Sequence, residues 1–268
     1  MEQTTKETKL THGQQMPPAK GRWRPGMGTA MSVIFVLGVV VYALARYELI
    51  NNYYVHILTL IAINVILVAS LNLVNGYLGE FAIGHAGFMA VGAYASSVVT
   101  VMWHQNFYLA LLAGGLTAAL IGWLVAIPSF KTFGDYLAIV TLGFNMIIVN
   151  LIQNLDVIGG PRGFGGMPRA TNLIVAFVML IVTLAVLRNL VYSNYGRIWQ
   201  AIRENDIAAE MMGINVTRYK ILAFTIAAFF AGTAGALAAH YFQFIHPSSF
   251  TYIRMTDILV MLYLGGMG

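Results

Sequence analysis

Two stretches of this chain hold most of the side chains that could do chemistry. The first, GYLGEFAIGHAGFMAVGAYASS at residues 76–97, sets Glu80 and His85 among Gly76, Gly79, Gly84, Gly87 and Gly92. Ionisable groups inside an apolar segment face the protein interior or water, where they serve polar cargo or proton transfer. The bland alternatives are a hydrogen-bonded packing histidine and a solvated Glu80 at a span end. One His and one Glu are too few for a metal site, which needs more convergent ligands. The second stretch, SNYGRIWQAIRENDIAAEMMGINVTRYK at residues 193–220, gathers seven charged residues in a chain that is 9% charged. No nucleophile–base pair stands out, and the absence of cysteine excludes disulfides and thiolate metal sites. The phosphate-binding pattern G-x-x-x-x-G-K-[ST] is missing, because Lys131-Thr132 lacks both glycines.

The elements that must position these residues are apolar. Hydrophobic residues make up 59% of the 268, against about 45–50% in average domains. They arrive in blocks of the length a bilayer-spanning helix needs, roughly 20 residues. The blocks fall at 29–45, 53–74, 77–102, 108–127, 136–153, 172–190 and 221–245, with a fragment at 256–268. The period-2 alternation of a membrane barrel is missing. The expected fold is therefore all-α: a polytopic helical membrane protein of about eight spans, the last truncated. Residues 1–28 read as a polar, disordered tail.

Charge predicts the orientation. With the N-terminus inside, eleven Lys and Arg residues fall on the cytoplasmic side, Lys131 among them, and four outside, as the positive-inside rule requires. These cations also explain the net charge of +5, so nucleic acid need not be invoked. The loop at 193–220 is then cytoplasmic. Its spacing predicts two short helices, the first capped by Ser193 or Asn194 and the second by Asp206, with Gly213 ending it. Asn215 or Thr217 caps the next span. Ile198, Trp199 and Ile202 share one apolar side, and Ile207, Met211 and Ile214 share another. Such a face either rests on the protein's own helices or docks a cytoplasmic partner.

Other polar residues lie in or near the spans: Asn64, Asn72, Asn145, Asn150, Gln153 and Gln243. Helix–helix hydrogen bonds, worth about 0.6 kcal/mol each, are their default role. The glycines at 76–92 either let helices approach closely or mark a broken helix whose backbone lines a polar path. Gly232 and Gly235, with His240 following, echo that pattern in the seventh span. The Gly- and Pro-rich segment at 155–171, with Arg162 and Arg169, is either an outer docking loop or simply solvated.

AIRENDIAAEMMGINVTRYKILAF (201–224) resembles the cytoplasmic loop of permease subunits in branched-chain amino acid ABC importers. SLNLVNGYLGEFAIGHAGFMAVGAYAS (70–96), GDYLAIVTLGF (134–144) and IGGPRGFGGMP (158–168) are similar to the same family, in its order. In ABC importers this loop carries a Glu-Ala-Ala-x-x-x-Gly signature that couples to the ATPase. Ala208, Ala209 and Gly213 match it, while Ile207 takes the glutamate position and Asp206 precedes it. The resemblance thus implies coupling through Arg203, Glu204, Asp206, Ala208, Ala209, Met211 and Gly213, without a defined ion pair to the ATPase. From the residues themselves, the candidate translocation path is Glu80, Gly84, His85 and Gly87. Two ATPase subunits carrying ATP and Mg, a second homologous permease, an extracytoplasmic solute-binding protein and membrane lipid are the implied partners. This chain itself is expected to hold no cofactor and to catalyse no reaction. The implied location is the bacterial inner membrane, multi-pass, with the N-terminus cytoplasmic, and the implied cargo is a branched-chain or related amino acid. Urea or amides, and an ion-coupled transporter or channel, are the alternatives. Related permeases continue past the final Gly-Gly-Met-Gly, so a C-terminal truncation is expected.

Overall fold

The computed structural model describes residues 51–130 and 136–267, together with Gly38. The tail at 1–28, the predicted span at 29–45 (Gly38 excepted) and Lys131 lie outside the described residues.

Helix α1 (Asn52–Asn72) begins where the Asn51 side chain accepts a hydrogen bond from the Tyr53 amide at 3.2 Å. It holds no charged residue and runs on through a wider π-turn, Leu73–Leu78. The 27 residues together reach about 40 Å, enough to cross a hydrocarbon layer of about 30 Å. Gly79 ends the run in the left-handed region at φ +81°, which a side chain would oppose.

Here the structure departs from the predicted third span at 77–102. The chain stays irregular from Gly79 to Gly84, and α2 (His85–Val101) starts only afterwards. Side chains replace the missing helical hydrogen bonds. Asn75 accepts from the Ala82 amide at 3.2 Å, and Thr141 Oγ1 accepts from the Ile83 amide at 2.9 Å. A break inside hydrocarbon is tolerated only with such satisfaction. His85 meets Ser70, eight residues before Leu78, at 2.8 Å. The start of α2 therefore lies about 12 Å back along α1, well inside the membrane's depth.

The remaining helices are α3 (Phe107–Ser129), α4 (Tyr136–Gln153), α5 (Leu173–Val191), α6 (Asn194–Glu204), α7 (Asp206–Met211), α8 (Val216–Phe242) and α9 (Tyr252–Gly265). The bounds of α3, α4 and α5 follow the apolar blocks closely, because a span begins and ends where continuous apolarity does. Among the described residues, four helices are long and apolar enough to cross a membrane: α1 with its π-turn, α3, α5 and α8. Helix α4 joins them as a fifth if it is counted with the turns at Asp156–Arg162, bent by 82°. Six blocks and a fragment were expected over this stretch. The difference lies in α2 and α9, which are shorter at 17 and 14 residues, and in the bent α4 segment. Leu109, Leu112, Leu116, Leu120, Trp123 and Leu124 leave an apolar side of α3 exposed, a surface suited to lipid.

The core forms where α2, α3 and α8 cross. Gly92 packs on the backbone of Gly232, Gly114 on that of Gly92, and Gly235 on the Met89 carbonyl. A Cβ at any of these positions would overlap backbone, so small residues let the helices meet directly. His240 of α8 is completely buried, with Nδ1 on the Ala236 carbonyl and Nε2 3.1 Å from Thr100 Oγ1. Just beyond the end of α8, β1 (Phe164–Gly165) pairs antiparallel with β2 (Phe244–Ile245). Gln243 donates to the Met167 carbonyl and His246 bonds the Pro161 carbonyl, so the Gly- and Pro-rich segment is fastened to the end of α8.

Candidate coupling site and helix break

The charged segment at 193–220 folds as two helices and a turn. Ser193 caps α6, its hydroxyl accepting from the Tyr195 amide at 3.2 Å. Trp199 and Ile202 are buried, and Ile198 half-buried, on the side that helical spacing aligns. The Trp199 indole N–H donates to the Tyr219 carbonyl at 3.0 Å, which fastens α6 to the first turn of α8. The cap of α7 is Asn205, not the expected Asp206. Asn205 Oδ1 accepts from the Ala208 amide at 2.9 Å, and Asp206 is the first helical residue. The physical reason is competition: the Asp206 carboxylate is engaged by Lys220, and the neighbouring amide takes the cap. Gly213 ends the turn at φ +83°, and Asn215 caps α8 through the Arg218 amide at 3.2 Å.

Lys220 organises this end of the molecule. It is only 9% exposed, and its ammonium pairs with both Asp206 and Glu80. One cation therefore joins the start of α7, the first turn of α8 and the beginning of the break after α1. Removing one partner of a fully buried pair costs about 3–5 kcal/mol; the partly exposed Asp206 lowers that here. Arg203 closes the same corner from α6. Its guanidinium donates to the Gly76 carbonyl at 2.5 Å, and its stem covers Gly79, where a Cβ would stand 2.6 Å from Cγ. A cation at a helix C-terminus is favoured by the dipole and by the free carbonyls there.

The structure thus regroups the residues singled out in the sequence. Glu80, expected with the path residues, joins Arg203 and Asp206 of the coupling set. Ala209 is buried beneath α7, while Glu204, Ala208 and Met211 are exposed. Gly84, His85 and Gly87 lie apart, at the first turn of α2. Gly84 fits against Thr141, Gly87 against Asn145, and the His85 ring bonds Ser70. Sequence reasoning counted Lys220 only as one inner cation. The available signal was its place one turn inside an apolar helix, where a lysine needs an anion. Among the described residues, no group of three His, Cys, Asp or Glu could hold a metal ion.

Apolar helices, a break between the first two, and a polar helix pair gathered in one loop define a multi-pass membrane protein. The family described as branched-chain amino acid transport system / permease component matches residues 53–268. The high-affinity branched-chain amino acid transport system permease protein LivM of Escherichia coli is 34% identical over 275 residues, 90% of this chain and 65% of that protein. LivM of Salmonella typhimurium is 33% identical over the same shares. LivH of Salmonella typhimurium, a permease protein of the same system, is 22% identical over 202 residues, 65% of this chain and 66% of that protein. The chain belongs to the branched-chain amino acid transport system permease family. It spans about two-thirds of the length of the LivM proteins it matches. No solved structure matches it.

Proposed function

We propose that this chain is the membrane-spanning permease subunit of an ATP-binding cassette importer for branched-chain or related amino acids. The loop at 193–220 then faces the cytoplasm, as does the N-terminus, and α7 docks an ATPase subunit. The observation that carries the reading is the Lys220 pairing, because it links the outward-facing α7 to a helix break inside the membrane. Ile207 is 72% exposed and Met211 84%, with Met212 beside them, so α7 offers an apolar face that none of the described residues covers. Methionine adapts to a groove, and an amphipathic helix in a groove is a recurrent recognition mode.

Coupling in this reading is mechanical. Closure of two ATPases, which bind the ATP and Mg, displaces α7; Lys220 and Arg203 carry that displacement to Gly76–Glu80. A second homologous permease completes the pathway, and an extracytoplasmic binding protein delivers cargo to the platform formed by β1, β2 and the neighbouring turns. The test is co-purification of the chain with its ATPase subunits, comparing wild type with Met211→Glu/Met212→Glu. Retention by wild type and loss in the variant support the reading. Leucine uptake into proteoliposomes that proceeds without any ATPase overturns it.

A further inference from the structure

Asn145 of α4 is 1% exposed, and among the described residues neither its Oδ1 nor its Nδ2 has a hydrogen-bond partner. It lies against Gly87, where a Cβ would stand 3.2 Å from Oδ1. One turn earlier on the same face of α4, Thr141 is fully engaged. It accepts from the Ile83 amide and donates to the Leu137 carbonyl. Thr141 thus serves the break, while Asn145 on the same face of α4 is left without a partner among the described residues. A buried carboxamide without partners is rare in proteins and is disfavoured further in hydrocarbon.

What Asn145 faces is the start of α2. This helix is 17 residues long, its cap position is Gly84, and no side chain caps it. Its N-terminus therefore presents the positive end of the dipole inside the membrane's depth, the arrangement that suits an anionic group. The carboxamide presents a donor and an acceptor side by side. A ligand that answers all three features carries a carboxylate and, one carbon away, an ammonium.

We propose that the first turn of α2 and Asn145 hold the head group of an α-amino acid. The carboxylate lies at the helix N-terminus within reach of Asn145 Nδ2, and the ammonium donates to Asn145 Oδ1. Gly87 lets Asn145 close on the helix start, since a Cβ there would stand 3.2 Å from the Asn145 Cα and Oδ1. Phe88 and Phe144, with ring centroids 5.0 Å apart, supply an apolar wall for an aliphatic side chain. Urea and neutral amides lack the charge that the helix terminus favours, so the site selects zwitterions. Asn145 is buried in this conformation, and cargo enters when α4 separates from α2.

The inference rests on the permease reading, and the experiment separates the two. The complete complex in nanodiscs, without its binding protein, is titrated with L-leucine and with isopentylamine, which keeps the aliphatic group and lacks the carboxylate. Leucine raises the thermal midpoint of the wild type, isopentylamine does not, and Asn145→Leu abolishes the leucine response while Asn145→Gln keeps part of it. In proteoliposomes, Asn145→Leu lowers leucine uptake at least tenfold. A leucine response or uptake that survives Asn145→Leu overturns the site, since an apolar isostere satisfies a purely packing role. If that variant does not assemble, Gly87→Ala, which sets a methyl group against Oδ1, is read by the same two measurements. Wild-type complex that moves no leucine overturns the permease reading instead.

Discussion

Helices α6 and α7 are neighbours in one loop, separated by a single residue, and they treat their apolar sides in opposite ways. The apolar side of α6 is turned inward: Trp199 is completely buried and hydrogen-bonded to the first turn of α8. The apolar side of α7 is turned outward, with Ile207, Met211 and Met212 exposed and only Ala209 buried beneath. The same sequence signal, apolar residues at helical spacing, thus yields an anchor in one helix and an exposed apolar face in the other. The difference lies in side-chain size toward the body. Trp199 fills the space under α6, whereas alanine brings α7 close and leaves its large residues facing away.

Breaking the anchor should have the largest effect. Trp199→Ala is expected to destabilise the protein by about 3–5 kcal/mol, as large-to-small core changes do. Thermal unfolding in detergent should show this as a clear fall in midpoint. Lys220→Met comes next, leaving Glu80 and Asp206 close together without their cation, at about 2–4 kcal/mol after allowance for exposure. Adding Glu80→Gln and Asp206→Asn should restore much of that stability while leaving uptake uncoupled from ATP hydrolysis. A triple variant that transports normally would remove Lys220 from the coupling route. On the docking side, Met211→Ser/Met212→Ser should change stability by less than about 0.5 kcal/mol, as exposed substitutions do. The same pair should weaken ATPase binding about tenfold in a titration of the purified subunits. The smallest effect is expected from Asn205→Ala, about 1 kcal/mol from a lost cap. Circular dichroism midpoints compared with those of Asp206→Ala would show whether the amide or the carboxylate holds the start of α7.

The spans were legible because a bilayer demands continuous apolarity, and α3, α4 and α5 begin and end within two or three residues of where composition changes. The ends of the loop helices were legible too, since Ser193, Gly213 and Asn215 act on their nearest neighbours. The break was only half legible. The glycines at 79 and 84 hinted at it, but what holds the segment open is Thr141, brought in from another helix by the fold. Glu80 and Lys220 lie still farther apart in sequence, and no local pattern announces their meeting. Asp206 looked like the better cap on charge alone. Its carboxylate is occupied by a lysine fourteen positions later, a competition that local propensity does not register.

The crossing of α2, α3 and α8 has one more consequence. Where Gly92, Gly114 and Gly232 touch, main chain rests on main chain, with no rotamers between to absorb a shift. Such a junction resists sliding of the three helices past one another. The parts outside this junction are α4, α5 and the irregular stretch that begins at Gly79. In the proposed importer, such a centre would keep the alignment while the walls around it move.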